Sequence, residues 1–377
     1  MLAGPHCGRQ LADMGAQVIK VEGPGAGDAV RKLGSNNGEN GMVFVNQNAG
    51  KRSLSVDLRH PAGLEAVLDL VASCDVVFEN FRPGVMQRFG LDYASLKERN
   101  PALVMCSISA FGQTGPLADQ GGFAYSAMAM SGAIDLDRER DGVAHIGHLP
   151  VPDFLSALNA VAAIGYALLH RERTGKGQHI DISLIDCMLA AEDIATPSVI
   201  NGEAFEPQRR PGVSVHRVSD GFVVMTLPGE DLFFRFADAI GAPELKADPR
   251  FLTRASRIAN QSDIDALIDR WIAPFRSRDA VVEFLASHKV PSAAVLSVQE
   301  ALNHPQVLAR GAVARVGGPT SHRVVRSAMR FSATPSEPQG PAPAQVGSHT
   351  REVLSDVLGY SHDRIDALIA AKAVHQA

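Results

Sequence analysis

From Val151 to Leu168 the sequence carries a single charge, Asp153, set directly behind Pro152 at the head of an apolar run. Phe154, Leu158, Val161, Gly165 and Leu168 recur at three- and four-residue spacing, which predicts an amphipathic helix with a wide buried face. Asp153 then stands at the helix start, where unpaired backbone N–H groups and the positive end of the helix dipole favour a carboxylate. Asp is a preferred capping residue, so a cap is the ordinary reading of this side chain taken alone. Behind the helix, Arg171-Glu172-Arg173-Thr174-Gly175-Lys176-Gly177-Gln178 makes a polar turn, and Ile180-Asp181-Ile182-Ser183-Leu184 alternates as a strand does.

A chain of 377 residues is longer than one core usually serves, so two domains are expected. The net charge of −5, with both signs interspersed, gives no polyanion-binding tail and argues against a nucleic-acid partner, although single arginines can still hold phosphates. No uninterrupted apolar run reaches the roughly 18 residues of a membrane span, and the N-terminus lacks the basic lead and apolar core of a signal peptide. The four cysteines lie far apart in apolar surroundings and read as reduced packing residues of a cytoplasmic protein. The histidines show no H-E-x-x-H or similar spacing, so no metal is expected.

Taken in order, Gln17–Glu22, Ser53–Leu58, Asp75–Asn80 and Leu103–Ser109 read as strands. Pro61 opens a helix whose face is Leu64, Val67, Leu68 and Val71, so residues 53–80 form a strand–helix–strand unit with a right-handed crossover. Ligands of such sheets lie beyond the carboxyl ends of the strands. The glycines at 23, 25 and 27 follow a strand, but Pro24 stands between them and no helix follows at once, so they read as a surface loop rather than a dinucleotide fingerprint. Asn80-Phe81-Arg82-Pro83-Gly84-Val85-Met86-Gln87-Arg88 combines an Asn, an aromatic ring and two arginines. Forked guanidinium donors suit phosphate and a ring can stack on adenine, while a solvated Pro-Gly turn accounts for the same residues.

The helix headed by Asp153, the R-E-R-T-G-K-G-Q turn and the I-D-I-S-L-I-D segment resemble the family III coenzyme A transferases, which include formyl-CoA and carnitine-CoA transferases and the 2-methylacyl-CoA racemases. The N-F-R-P-G-V-x-x-R string resembles that family's CoA-binding loop, and the run from Ser107 to Pro116 resembles its S-x-x-G-F-G-Q-x-G-P signature, with Ala110 where Gly is common. The resemblance implies Asp153 as the catalytic carboxylate and Asn80, Phe81, Arg82 and Arg88 as CoA contacts. It implies Val56, Asp57, Leu58 and Arg59 as the segment lining the adenine. Arg31, in Gly-Asp-Ala-Val-Arg, is a looser phosphate candidate beside the ordinary reading of a surface arginine. Relatives carry a strand of the type V-L-D-L-S before the L-A-G-P-like segment. Here Met1 leads directly to Leu2-Ala3-Gly4-Pro5, so that central strand is read as missing, by a late start or a true loss.

The implied reaction is CoA transfer from an acyl-CoA to a carboxylic acid through an Asp153 mixed anhydride and an aspartyl-CoA thioester. CoA is then a substrate and no cofactor stays bound. Two alternatives remain: a 2-methylacyl-CoA racemase and a non-catalytic CoA-binding homologue. The racemase branch places a second proton-transfer base where this chain has Phe123, and a phenyl ring takes no proton. His145 and His148 are nearer to Asp153 in sequence but lie in a connecting loop.

The expected fold class is α/β, a Rossmann-like parallel-sheet large domain, discontinuous, with a small α+β domain. The boundaries read as 1–196 for the first part of the large domain, 197–212 for a polar linker and 213–311 for the small domain. A return connector, Pro-rich at 335–343, spans 312–343, and 344–377 rejoins the large domain. Phe233, Phe234, Phe236 and Trp271 read as small-domain core, and His304–Gly311 matches the family's stretch at that domain's end. The resemblance places Gly212 to His216 against the substrate and implies an interlocked ring-like homodimer, with extended linkers wrapping the partner.

Overall fold

α1 (Ala3–Asp13) begins beside two glycines that let it sit close to its neighbours. A Cβ on Gly8 would stand 2.6 Å from Phe78 Cζ and 3.3 Å from Lys51 Cε, and one on Gly4 would stand 2.7 Å from Asn80 Oδ1. The structure is a computed structural model and describes residues 2–34, 40–137, 142–193, 195–203, 213–317 and 322–377. The chain falls into two units. The first takes in residues up to Pro197, except a short piece before Ala144, together with Ala309–Ala377; the second is Ser198–Leu308 with that short piece.

In the first unit β1 (Val18–Glu22), α2 (Met42–Asn48), β2 (Lys51–Val56), α3 (Pro61–Ser73) and β3 (Val76–Glu79) follow α1. Next come α4 (Val85–Arg88), α5 (Tyr93–Arg99), β4 (Val104–Ser109), α6 (Ala124–Met130), α7 (Ala133–Asp137), α8 (Val151–Thr174), β5 (His179–Ser183) and α9 (Leu184–Ala191). Pro61 takes the first helical position of α3, where its missing N–H costs nothing. Strands β3, β4 and β5 form one parallel sheet, with Glu79, Ser107 and Asp181 in a single row across it. β1 and β2 pair in parallel in another sheet, joined on the far side of β2 by the last strand of the chain.

The expected strand–helix–strand unit over 53–80 is therefore corrected, because β2 and β3 belong to different three-stranded sheets. Among the described residues no strand pairs with the open edge of β1 or of β3. α1 lies between the two sheets, since a Cβ on its Gly8 would meet both Phe78 of β3 and Lys51 of β2. Lys51 is buried and donates to Pro5 O at 2.7 Å and Asn48 Oδ1 at 2.9 Å, tying β2 to the start of α1. Burial holds its ammonium well below the usual lysine range.

The buried face of α8 also differs from expectation. Its covered residues are Pro152, Ser156, Ala157, Ala160, Ile164 and Ala167, while Leu158 is 45% and Tyr166 75% exposed. The small stripe packs with Ala3, Cys7, Cys106 and Ile108, and small side chains let helix and sheet approach closely. Of the residues the periodicity picked, Val161 and Leu168 pack against this cluster, while Leu158 and Gly165 lie exposed. By length and composition α8 is apolar enough to cross a membrane, a test that core helices also pass.

α10 (Ala195–Ile200) is helical where the linker was expected to begin. Residues 204–212 of that linker, and Gly212 of the substrate-facing segment, lie outside the described residues. The second unit contains β6 (Val213–Val218), β7 (Gly221–Thr226), α11 (Glu230–Ala239), α12 (Arg254–Ala259), α13 (Gln261–Ile272), α14 (Arg278–Ser287), β8 (Ser292–Ala294), α15 (Val298–Asn303) and most of α16 (Pro305–Ala309). Its antiparallel sheet, ordered β6-β7-β8, covers a core of Phe233, Phe236, Ile264, Ile268, Val281 and Leu285. Phe234 and Trp271 pack at its margin. His216 is buried between Ser214 Oγ, 2.6 Å from Nε2, and Asp269 Oδ1, 2.7 Å from Nδ1, which fastens α13 to β6.

The chain returns to the first unit through the hairpin β9 (Val313–Val316) and β10 (His322–Val325). The Pro-rich stretch that follows is neither helix nor strand. α17 (Thr350–Glu352) continues into a π-helical turn, and α18 (His362–Ala370) leads to β11 (Val374–His375) against β2. The four cysteines form no disulfide, and burial pushes the Cys7 thiol up to about 12.

Candidate active site

Asp153 is the third residue of α8, behind Pro152, and not its cap: the capping position is Pro150 and no side chain caps the helix. The ordinary reading of this side chain as a cap therefore does not hold. Its backbone N–H donates to Pro150 O at 3.1 Å, and Ser156 Oγ donates to Asp153 O at 3.0 Å. Among the described residues no hydrogen-bond donor or cationic partner is seen for its carboxylate. Burial pushes that carboxyl above the usual aspartate value. The first turn of a 24-residue helix supplies the positive dipole end that favours an anion there. A carboxylate without Arg or Lys keeps its lone pairs free for attack on a carbonyl carbon.

α1 joins this helix start to the Asn80–Arg88 loop. Asn80 lies against Gly4, and the His6 ring packs edge-on to Phe154, centroids 5.0 Å apart. One helix, α1, therefore contacts both the Asn80 side chain, at Gly4, and the start of α8, at His6. His6 is held on both ring nitrogens, with Nδ1 3.0 Å from Gln47 Oε1 and Nε2 3.3 Å from Gln10 Nε2. Burial pushes its pKa below the ordinary histidine value, consistent with a neutral ring accepting at Nε2 and donating at Nδ1.

The loop leaves β3 exposed. Phe81 is 52% exposed and free to be covered by a flat ligand. Arg82 lays its guanidinium over Gly121, where a Cβ would stand 2.5 Å from Nη2. Arg88 ends the short α4, exposed, on the helix that Gly84 opens in the left-handed region. At the end of β2, Val56 is buried, Leu58 packs at the core margin, and Asp57 accepts from Arg59 Nε at 3.0 Å. Arg59 itself is 80% exposed. The Asp57 N–H donates to Ala373 O, so β11 backs this segment.

Arg31 is not a surface arginine. It is buried and pairs with Glu22, Nη2 to Oε2 2.6 Å and Nε to Oε1 2.9 Å, with its guanidinium over the Phe44 ring. Nη1 also donates to Asn40 Oδ1 and Pro343 O, which ties the return segment to β1. Beside it lies an open cavity of about 720 Å³ lined by Lys32, Asn40, Gln345 and His375.

The structure thus sets Asn80 beside Gly4 of α1 and Phe154, next to Asp153, beside His6 of the same helix, puts Arg82 on Gly121, and holds Arg31 in a tie of its own. Phe123, where the racemases place a base, precedes α6 and is 60% exposed; His145 and His148 are exposed in the loop before α8. Among the described residues no cluster of three or more His, Cys, Asp or Glu side chains is placed to hold a metal ion. Sequence reasoning missed Glu79 and His6. Glu79 directly precedes Asn80 at the end of an apolar strand, a position where an inward-facing acid is a signal in itself.

The sequence profile of CoA-transferase family III matches residues 1–350. The chain belongs to CoA-transferase family III. It is accordingly a CoA-transferase, and CoA thioesters are its substrates. It is 35% identical to the succinate–glutarate CoA-transferase of Agrobacterium fabrum, covering 95% of this chain and 92% of that one. It is also 35% identical to the succinyl-CoA–D-citramalate CoA-transferase of Chloroflexus aurantiacus, over 99% and 94% of the two chains. A crystal structure of a CAIB/BAIF family protein from Brucella suis superposes with a TM-score of 0.82 at 35% identity, over 94% of this chain and 96% of that one. The mixed α/β fold with parallel sheets is shared with that neighbour.

Proposed function

We propose that this CoA-transferase moves CoA from an acyl-CoA to a carboxylic acid with Asp153 as the nucleophile. The observation that carries the reading is the half-buried Asp153 carboxylate in the first turn of α8, with no Arg or Lys side chain paired to it among the described residues. The carboxylate attacks the thioester carbonyl, forms a mixed anhydride and releases CoA thiolate. The thiolate attacks the Asp153 carbonyl, giving an aspartyl-CoA thioester and the free donor acid. The acceptor carboxylate attacks that thioester and forms a second anhydride, expelling the thiolate again. Thiolate attack on the new acyl carbon yields the product acyl-CoA and regenerates Asp153. No net proton is consumed. Backbone N–H groups are the expected stabilisers of each tetrahedral oxyanion.

Asn80, Phe81, Arg82, Arg88 and the Val56–Arg59 segment hold the CoA nucleotide in this reading, with Arg31 buttressing the nearby loop. The names of the two relatives point to succinyl-CoA with glutarate or citramalate as the first pairs to test. The protein acts as a homodimer with interlocked chains: Leu158, Tyr166 and Leu169 leave an apolar stripe exposed on α8, with Leu189, Tyr125 and Met130 nearby on α9 and α6. The deciding experiment is acyl exchange with Asp153→Ala and Asp153→Asn. Both abolish exchange and keep the fold; near-normal transfer by Asp153→Ala with any accepted pair overturns the mechanism.

A further inference from the structure

Glu79, Ser107 and Asp181 form one row across β3, β4 and β5, and the row before it is Val77, Met105 and His179. Paired residues on neighbouring strands point to the same face, so these side chains meet on one side of the sheet near its carboxyl end. There they cluster. His179 Nε2 lies 3.0 Å from Ser107 Oγ, Ser107 is the cross-strand neighbour of Glu79 with its hydroxyl towards that carboxylate, and a Glu79 oxygen accepts the Phe81 N–H at 2.7 Å. In the same row as Glu79, Asp181 Oδ2 accepts the Gln113 N–H at 3.0 Å. Two turns that carry family signatures, Asn80–Arg88 and Phe111–Pro116, are each tethered by a carboxylate of the sheet.

The space behind the tether is open. A cavity of about 300 Å³ is lined by Glu79, Ser107, His179, Tyr93, Arg82 and Gln113. Close packing therefore does not fix the first residues of the loop from this side. Glu79 is 9% exposed, and a buried carboxylate is costly unless its bonds do something for the fold or the site. Its acceptor role falls on the amide between Asn80 and Phe81, the two residues that lead the CoA loop.

We propose that Glu79 is a positioning residue for CoA binding: its carboxylate, braced by Ser107, fixes the Phe81 amide and so aims Asn80, Phe81 and Arg82 at the nucleotide. The proposal rests on the reading of this loop as the CoA contact. Glu79 touches no reacting atom, so it sets affinity for CoA and leaves the chemical step at Asp153 unchanged.

Calorimetric titration of CoA into the full-length wild type, Glu79→Ala and Glu79→Gln tests this, with thermal unfolding and steady-state kinetics of each. Glutamine keeps an acceptor for the Phe81 N–H and binds within about twofold of wild type. Alanine removes it, and the dissociation constant and the KM for the CoA thioester both rise about tenfold, the scale of one hydrogen bond to a charged group. The kcat at saturating donor stays within about twofold of wild type, on the same reasoning that the bond aids binding alone. Unchanged CoA affinity in Glu79→Ala overturns the proposal, and so does equal loss in both variants. If Glu79→Ala does not fold, Ser107→Ala decides: weaker CoA binding supports the tether and wild-type binding overturns it. A wild-type protein that binds no CoA overturns the reading of the loop itself, and this inference with it.

Discussion

Arg31→Ala separates a structural tie from a ligand contact. Arg31 and Glu22 are 6% and 4% exposed, and two short hydrogen bonds join them, at 2.6 and 2.9 Å. Removing the guanidinium strands a buried carboxylate. Breaking a buried pair in this way costs ~3–5 kcal/mol. Glu22 keeps two donors, the Ser53 hydroxyl at 2.8 Å and the Asp28 N–H at 3.1 Å, which places this site at the lower end. At about 2–3 °C per kcal/mol for a chain of this size, the thermal midpoint falls by roughly 6–9 °C. Replacing both partners, Glu22→Leu with Arg31→Met, recovers most of that loss, because no charge is left unpaired. The effect also depends on pH. Burial alone would push the Glu22 carboxyl up; the Arg31 hydrogen bond and charge outweigh it and hold the carboxyl below its usual value. A depressed carboxylate stabilises above its unfolded-state pKa, and that contribution is lost as pH falls through the folded value. The gap between wild type and Arg31→Ala therefore closes in acid. The assay is thermal unfolding from pH 7 downwards, with CoA titration at pH 7. An Arg31→Ala protein with a wild-type midpoint and much weaker CoA binding refutes the reasoning and makes Arg31 a phosphate contact.

Asp153→Asn raises the thermal midpoint while exchange is lost, because burial disfavours the carboxylate and outweighs the charge of the N-terminus, and the amide carries no charge; a lower midpoint contradicts the burial argument. Arg88→Ala weakens CoA binding at least about tenfold and Arg82→Ala less, as calorimetry checks, since a charge-assisted bond is worth more than a screened surface contact. Light scattering at micromolar concentration gives a particle of two 40.1 kDa chains, and an active, folded single chain rules out the interlocked dimer.

The strands and the large helices were legible because their residues obey local rules. Pro61 marks a helix start by its missing N–H, and the alternating Ile180–Ser183 run makes a strand. Phe233 and Phe236 occupy one face of α11 and fill the second unit's core. What was not legible depends on contacts far apart in sequence. The face of α8 was legible only in part: Val161 and Leu168 do pack inward, but tight packing on β4 and α1 centres the face on small residues, Ala157 and Ala160, that hydropathy does not single out. β2 and β3 fall in separate sheets because pairing is set by neighbours, which periodicity does not report. Arg31 looked like a surface residue because its partner Glu22 lies on another element and its carbonyl acceptor, Pro343, more than three hundred positions away. The helix start alone made Asp153 a cap and the family resemblance made it catalytic, while its distance from any described Arg or Lys side chain became visible only in three dimensions. The bonds from Glu79 to Phe81 and from Asp181 to Gln113 are of the same kind, since strand register alone creates them.

The most direct test of the central claim is to trap the covalent intermediate. The enzyme is incubated with an accepted acyl-CoA and hydroxylamine, digested, and read by peptide mass spectrometry. A thioester or anhydride on Asp153 is cleaved by the amine to a hydroxamate, so the peptide carrying Asp153 gains that modification only when acyl-CoA is present, and Asp153→Asn gains none. Active exchange without modification of Asp153, or the same modification on another residue, contradicts the account.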